Sequence, residues 1–147
     1  MTALTTRGGL PPQTAIDEHD RPLAVVIDDD TDVRTRISRT LRQAGWRAVE
    51  ARNGEHGLLM VREHVPDVVL VDLALPTMSG LDVLRELKSA CWADQPTPVV
   101  VVSWYASLVR LPYLRLADGL VAKPFEAGEL IEQVWLARAR RRAPRLV

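Results

Sequence analysis

The residues with the greatest chemical reach in this sequence stand just after short apolar runs. Asp28, Asp29 and Asp30 follow Leu23–Ile27, Asp72 follows Val68–Val71, Ser103 follows Val99–Val102, and Lys123, with Pro124 behind it, follows Gly119–Ala122. Singly, each has an ordinary explanation. An acidic triplet can be a solvated loop feeding a helix, an aspartate can mark a strand reaching the surface, and a serine there is usually a turn residue. Lys123 is less ordinary. Only two of the nineteen basic residues are lysines, Lys88 and Lys123. A lysine directly before a proline suits a compact point charge better than a planar fork. Together these positions permit a specific chemistry. Carboxylates gathered at one mouth repel one another and raise each other's pKa unless a cation sits among them. A hard divalent ion such as Mg²⁺ takes oxygen ligands and keeps several waters, which suits few carboxylates and one open face. Asp28, Asp29 and Asp72 with Lys123 sum to −2, which one Mg²⁺ balances. Such a site can receive a phosphoryl group: one carboxylate is the nucleophile, while metal, ammonium and hydroxyl spread the charge on the transferred oxygens.

The elements that must hold these residues can be read from the hydrophobic pattern. Leu23–Ile27, Val68–Val71 and Val99–Val102 are dense, mostly β-branched and without polar alternation, as expected of strands buried on both faces of a parallel sheet. Arg47–Ala51 and Gly119–Ala122 are weaker runs suited to edge strands. Helical periods lie between them. Val33, Ile37 and Leu41 are spaced by four, with Thr31 as the expected N-cap and Gly45 near the end. Leu58 and Val61 give a helix over about 54–64; Leu81, Leu84, Leu87 and Cys91 give another stripe; Leu130, Val134 and Ala137 face inward on a last helix after Phe125. Strands alternating with helices predict an α/β fold, a doubly wound five-stranded parallel sheet with helices on both faces. Ligands of such sheets bind at the carboxyl ends of the strands, which is where the polar residues stand.

Composition bounds the answer further. The 147 residues, 47% hydrophobic and 26% charged, suit one domain with a real core. Residues 1–22, rich in Thr, Gly and Pro, read as a flexible tail, 23–139 as the domain and 140–147 as a basic C-terminal tail. Nineteen acidic residues balance nineteen basic ones, so bulk charge does not point to nucleic acid. The single cysteine excludes a disulfide framework. No apolar run approaches the ~18 residues of a membrane span, and the first ten residues lack a signal-peptide pattern. A soluble, cytoplasmic protein without membrane contact is expected.

In this order the motifs resemble the receiver domain of two-component response regulators. The resemblance covers Leu23 to about Ala139. It rests on Val26-Ile-Asp-Asp-Asp30, the stretch from Gly45 to Gly54, the specific block Pro66 to Gly80, Pro98 to Ser103, and Lys123-Pro124-Phe125. It implies a flavodoxin-like sheet with strand order 2-1-3-4-5, and it implies that Asp72 accepts phosphate from the phosphohistidine of a sensor histidine kinase or a histidine phosphotransfer protein. Asp29 would ligate Mg²⁺ directly, Asp28 would help through water, and the carbonyl of Ala74 would be a further ligand. Ser103 and Lys123 would meet the phosphoryl oxygens, and the Lys123–Pro124 peptide would be cis, a form that X-Pro bonds tolerate. Output would pass through contact with a downstream protein or through a phosphorelay; no DNA-binding output domain is expected, and a homodimer is left open.

Three features depart from the family pattern. Trp104 replaces a small residue beside the site and is expected to narrow access to Asp72. Leu120 replaces the switch aromatic. The interval from Ser103 to Lys123 is short and carries Pro112, so a kinked, shortened or displaced helix is expected there. Ala74 and Tyr105 occupy positions that orient the hydrolytic water in the family, and neither supplies a suitable polar group close to its backbone, so a long-lived phosphorylated state is expected. These departures keep open a docking module that signals without phosphorylation. A haloacid-dehalogenase-like phosphatase also uses a strand-end aspartate with Mg²⁺, but Asp32 stands where its motif wants Thr or Val, and the chain is short for that fold. Arg138, Arg140, Arg141, Arg142 and Arg145 could touch nucleic acid. Without an interleaved aromatic, a charged helix end is the favoured reading.

Overall fold

Valine-rich segments too apolar to face water on either side form the centre of the sheet. A computed structural model describes residues 17–89, 96–104 and 115–142. Its strands β1 (Leu23–Ile27), β2 (Arg47–Ala51), β3 (Val68–Val71), β4 (Val99–Ser103) and β5 (Gly119–Ala122) are all parallel, in the order β2-β1-β3-β4-β5. The two weaker runs are the edges, as the sequence predicts. Four helices are described: α1 (Thr31–Gln43), α2 (Gly54–His64), α3 (Gly80–Lys88) and α4 (Ala127–Arg142).

Strand alternation divides the core into two halves. Val26, Leu70 and Val102 meet Ile37 and Leu41 of α1 and Leu130, Val134 and Ala137 of α4 on one face. Ile27, Val71 and Val101 meet Val61 of α2 and Val83, Leu84 and Leu87 of α3 on the other, with Leu58 and Leu120 packed partly buried against them. Cys91, Tyr105 and Pro112, and with them the expected irregular helix, lie outside the described residues.

Helix ends show where local chemistry overrides pattern. Thr31 is not the cap of α1. Asp30 is, its carboxylate accepting from the N–H groups of Asp32 (2.9 Å) and Val33 (3.1 Å). A carboxylate serves two amides at once and faces the positive end of the helix, an advantage a hydroxyl lacks. Ser79 caps α3 in a reciprocal box with Asp82. Helix α2 ends on Val65 in the left-handed region, φ 46°.

The ends of the domain are tied to its body. Residues 18–20, expected within the flexible tail, form a 3-10 turn, and Arg47 of β2 reaches back to the carbonyls of Pro22 and Arg21. Helix α4 continues to Arg142, past the expected boundary at 139. Arg140 donates to the Asp118 carbonyl (2.8 Å), Arg141 to the Pro66 carbonyl (3.3 Å), and Arg138 pairs with Asp67 (3.7 Å). Among the described residues, no helix is long and apolar enough to cross a membrane.

Candidate functional site

Strand register brings the acidic residues together. Ile27 pairs with Val71, so the next residue on each strand, Asp28 and Asp72, emerges from neighbouring ends of β1 and β3. Ser103 pairs with Ala122 across β4 and β5, and the Lys123 N–H donates to the Ser103 carbonyl (3.0 Å), which sets Lys123 beyond the same edge. The Lys123–Pro124 peptide is cis. The Lys123 ammonium then bridges the two aspartates, donating to Asp28 Oδ2 at 2.7 Å and Asp72 Oδ2 at 2.9 Å. Their side chains are 2%, 1% and 6% exposed in the order Lys123, Asp28, Asp72, so these are ion pairs largely removed from water.

Burial and pairing act in opposite senses here. Desolvation pushes the Asp28 carboxyl above its usual range, and the bond from Lys123 only partly offsets it. Burial also works against the Lys123 ammonium, but its bonds to Asp28 and Asp72 outweigh that and hold it above its ordinary value. Asp29 completes the cluster from the solvent side. One carboxylate oxygen from each of Asp28, Asp29 and Asp72 lies within 4.8 Å of the others. Three carboxylates and one ammonium, two of the acids buried and the third at an open face, fit a hard divalent cation that takes oxygen ligands and retains water.

The surroundings refine the expected roles. The Ala74 N–H donates to Asp72 Oδ1 (3.2 Å), which turns this loop toward that carboxylate. Ser103 is fully buried at the end of β4. Trp104, one residue on, is 58% exposed, so most of its ring is in solvent. Leu120 lies within β5 and is partly buried on the α2–α3 side of the sheet. Three contributors were not evident from residue type. Gly80 opens α3 so close to the main chain of Asp72 and Leu73 that a Cβ would overlap the Asp72 carbonyl. Arg36 of α1 donates to the Phe125 carbonyl (3.0 Å) and stands over its ring (4.9 Å), closing the turn after Pro124. Arg34 holds the main chain of the acidic turn. Gly80 was visible as part of the Pro66–Gly80 block; the arginines gave no signal in a chain with so many.

A family model of the response regulator receiver domain matches residues 24–135. The chain belongs to that family. Receiver domains are the signalling modules of two-component response regulators. This receiver is 38% identical over 124 residues to the DNA-binding response regulator MtrA of Mycolicibacterium smegmatis, an alignment covering 82% of this chain and 52% of that protein. It is 34% identical over 115 residues to the transcriptional regulatory protein PrrA of Mycobacterium tuberculosis, covering 77% and 48%. The chain thus spans about half the length of these curated relatives. Among solved structures, a response regulator receiver domain protein from Clostridium thermocellum is 26% identical with a TM-score of 0.72, covering 82% of this chain and 97% of that one. The Francisella response regulator 1452 receiver domain is 25% identical with the same TM-score, covering 82% and 98%. The expected sheet order is the observed one, and the phosphatase alternative falls with the family assignment.

Proposed function

We propose that Asp72 is the phosphoacceptor of this receiver and that the reaction depends on Mg²⁺. The observation that carries this reading is Lys123 bridging two buried carboxylates beside a third, exposed one. A carboxylate oxygen of Asp72 attacks phosphorus, the P–N bond to the donor imidazole breaks, and an acyl phosphate forms on Asp72 as the imidazole leaves. Asp28, Asp29, Asp72 and the Ala74 carbonyl are the residues that would hold the metal. Its contribution would be to neutralise charge on the phosphoryl oxygens. Lys123 aims the Asp72 carboxylate before transfer through its hydrogen bond to Oδ2, and after transfer its ammonium and the Ser103 hydroxyl would meet the new oxygens. Output passes to a downstream protein, or onward along a phosphorelay.

Intact-mass measurement after incubation with Mg²⁺ and phosphoramidate tests this. Wild type gains one phosphoryl mass, and Asp72→Asn gains none; equal gain by both overturns the assignment. The DNA-binding and transcriptional roles in the relatives' names belong to proteins about twice as long. In this chain Arg138, Arg140 and Arg141 are engaged by its own acceptors, which supports the charged-helix-end reading of that run over a nucleic-acid contact. A second reading, a receiver that docks without phosphorylation, is favoured by Trp104, an exposed indole one residue past Ser103. It requires partner binding to be the same for wild type and Asp72→Asn, with or without phosphodonor.

A further inference from the structure

Arg34 stands in the first turn of α1, and its side chain is only 15% exposed. Its Nη1 donates to the main-chain carbonyl of Asp28 (2.8 Å), and its Nε donates to Glu50 Oε1 (3.2 Å). Glu50 is on β2, in register with Val26 of β1, so the guanidinium is braced from the sheet while it holds the turn that leaves it. The rest of that turn is equally engaged. The Asp28 N–H donates to the Ala51 carbonyl (3.1 Å), the Asp30 N–H donates to Asp28 Oδ1 (2.9 Å), and the Asp30 carboxylate caps α1. Asp29 is the exposed member of the cluster, and among the described residues no hydrogen bond or ion pair holds its carboxylate. Its direction is therefore set by the main chain beneath it. A peptide unit is planar, so fixing the carbonyl of Asp28 fixes the plane that carries the N–H and Cα of Asp29.

We infer that Arg34, braced by Glu50, is a positioning residue for the divalent-cation site: by holding the Asp28 carbonyl it sets the direction from which the Asp29 carboxylate enters. The inference rests on the Mg²⁺ reading of the Asp28–Asp29–Asp72 cluster and adds to it the part that orients the exposed ligand. Electrostatics alone argues the opposite sign. A guanidinium near a cation site repels the cation, so its removal should tighten binding if charge were all that mattered. Loss of an outer partner that orients a ligand instead weakens metal binding, typically by tenfold or more.

The test is calorimetric titration of Mg²⁺ alone into the whole chain, for wild type, Arg34→Met, Glu50→Gln and Glu50→Leu, well below each protein's unfolding temperature. Positioning predicts that Arg34→Met weakens Mg²⁺ binding about tenfold. It also predicts that Glu50→Gln, which keeps the oxygen that accepts from Nε, stays near wild type while Glu50→Leu falls with Arg34→Met. Unchanged or tighter binding by a folded Arg34→Met overturns the inference. So does equal weakening by the two Glu50 variants, which is what lost charge alone would give. Should Arg34→Met not fold, the contrast between the Glu50 variants decides. A merely structural ion pair would lower the unfolding temperature and leave the affinity alone. If wild type binds no Mg²⁺, the reading of the site falls and this inference with it; if wild type binds and the variants match it, only this inference falls.

Discussion

Lys123 holds two carboxylates that would otherwise repel each other, and much of what the site can do follows from that arrangement. Removing the ammonium with Lys123→Met leaves buried charge unpaired and should destabilise the metal-free protein by about 3–5 kcal/mol, read from denaturant unfolding. Lys123→Arg keeps the charge but replaces a point donor with a broad fork. It should fold, yet lose the change in hydrogen-exchange pattern that a phosphoryl mimic produces in wild type; a wild-type response would contradict the point-charge argument. The titration behaviour gives a second check. Asp28 has a raised folded-state pKa, so its ionised form weakens the fold above that pKa and ceases to do so below 3.8, where folded and unfolded chains are both protonated. In chelator, Asp28→Asn should therefore unfold at a higher temperature than wild type at neutral pH. The difference should shrink as the pH falls toward 3.8. Lys123 contributes in the other direction: its stabilisation is complete below 10.5 and is lost as the pH rises through its higher folded-state value.

Elements position these residues by register, and two of their termini are tight. Val65 is a β-branched residue held at φ 46° and 71% exposed, where glycine would meet no steric penalty. Val65→Gly should stabilise the domain by about 1 kcal/mol, measured by thermal unfolding, because the strain relieved exceeds the entropy of one flexible residue. Gly80 is the opposite case. Gly80→Ala should destabilise by about 1–3 kcal/mol, since its methyl group meets the Asp72 carbonyl rather than a side chain that can turn away. The strands and the inward faces of α1, α2, α3 and α4 were legible because apolar spacing reports burial directly. The cap at Asp30 was not, because Asp30 and Thr31 are both good cap types and apolar spacing does not report that the carboxylate takes two amides at once. Arg34 was equally invisible: an arginine near a helix start gives no sign that it will find a carbonyl of the preceding turn.

At the scale of the whole molecule, the described acidic cluster stands at the carboxyl edge of the sheet, and arginines close the opposite edge. Arg140 illustrates the second point, since its guanidinium holds the loop before β5 through the Asp118 carbonyl. Arg140→Ala should cost about 1 kcal/mol of stability in denaturant unfolding and leave retention on a generic oligonucleotide unchanged. The carboxyl-edge cluster was legible because polar residues at strand ends converge in any doubly wound sheet. The engagement of the basic helix end was not, because sequence shows its charge and nothing of its acceptors. The central claim concerns one carboxylate among three whose oxygens lie within 4.8 Å of one another, and the measurement that tests it must tell them apart. Borohydride reduction of the protein after incubation with Mg²⁺ and phosphoramidate converts an aspartyl phosphate to the alcohol, and peptide mass mapping then locates it. The account predicts reduction at position 72 alone, and only when Mg²⁺ is present; reduction at Asp28 or Asp29, or a phosphoryl group that resists borohydride, would contradict it.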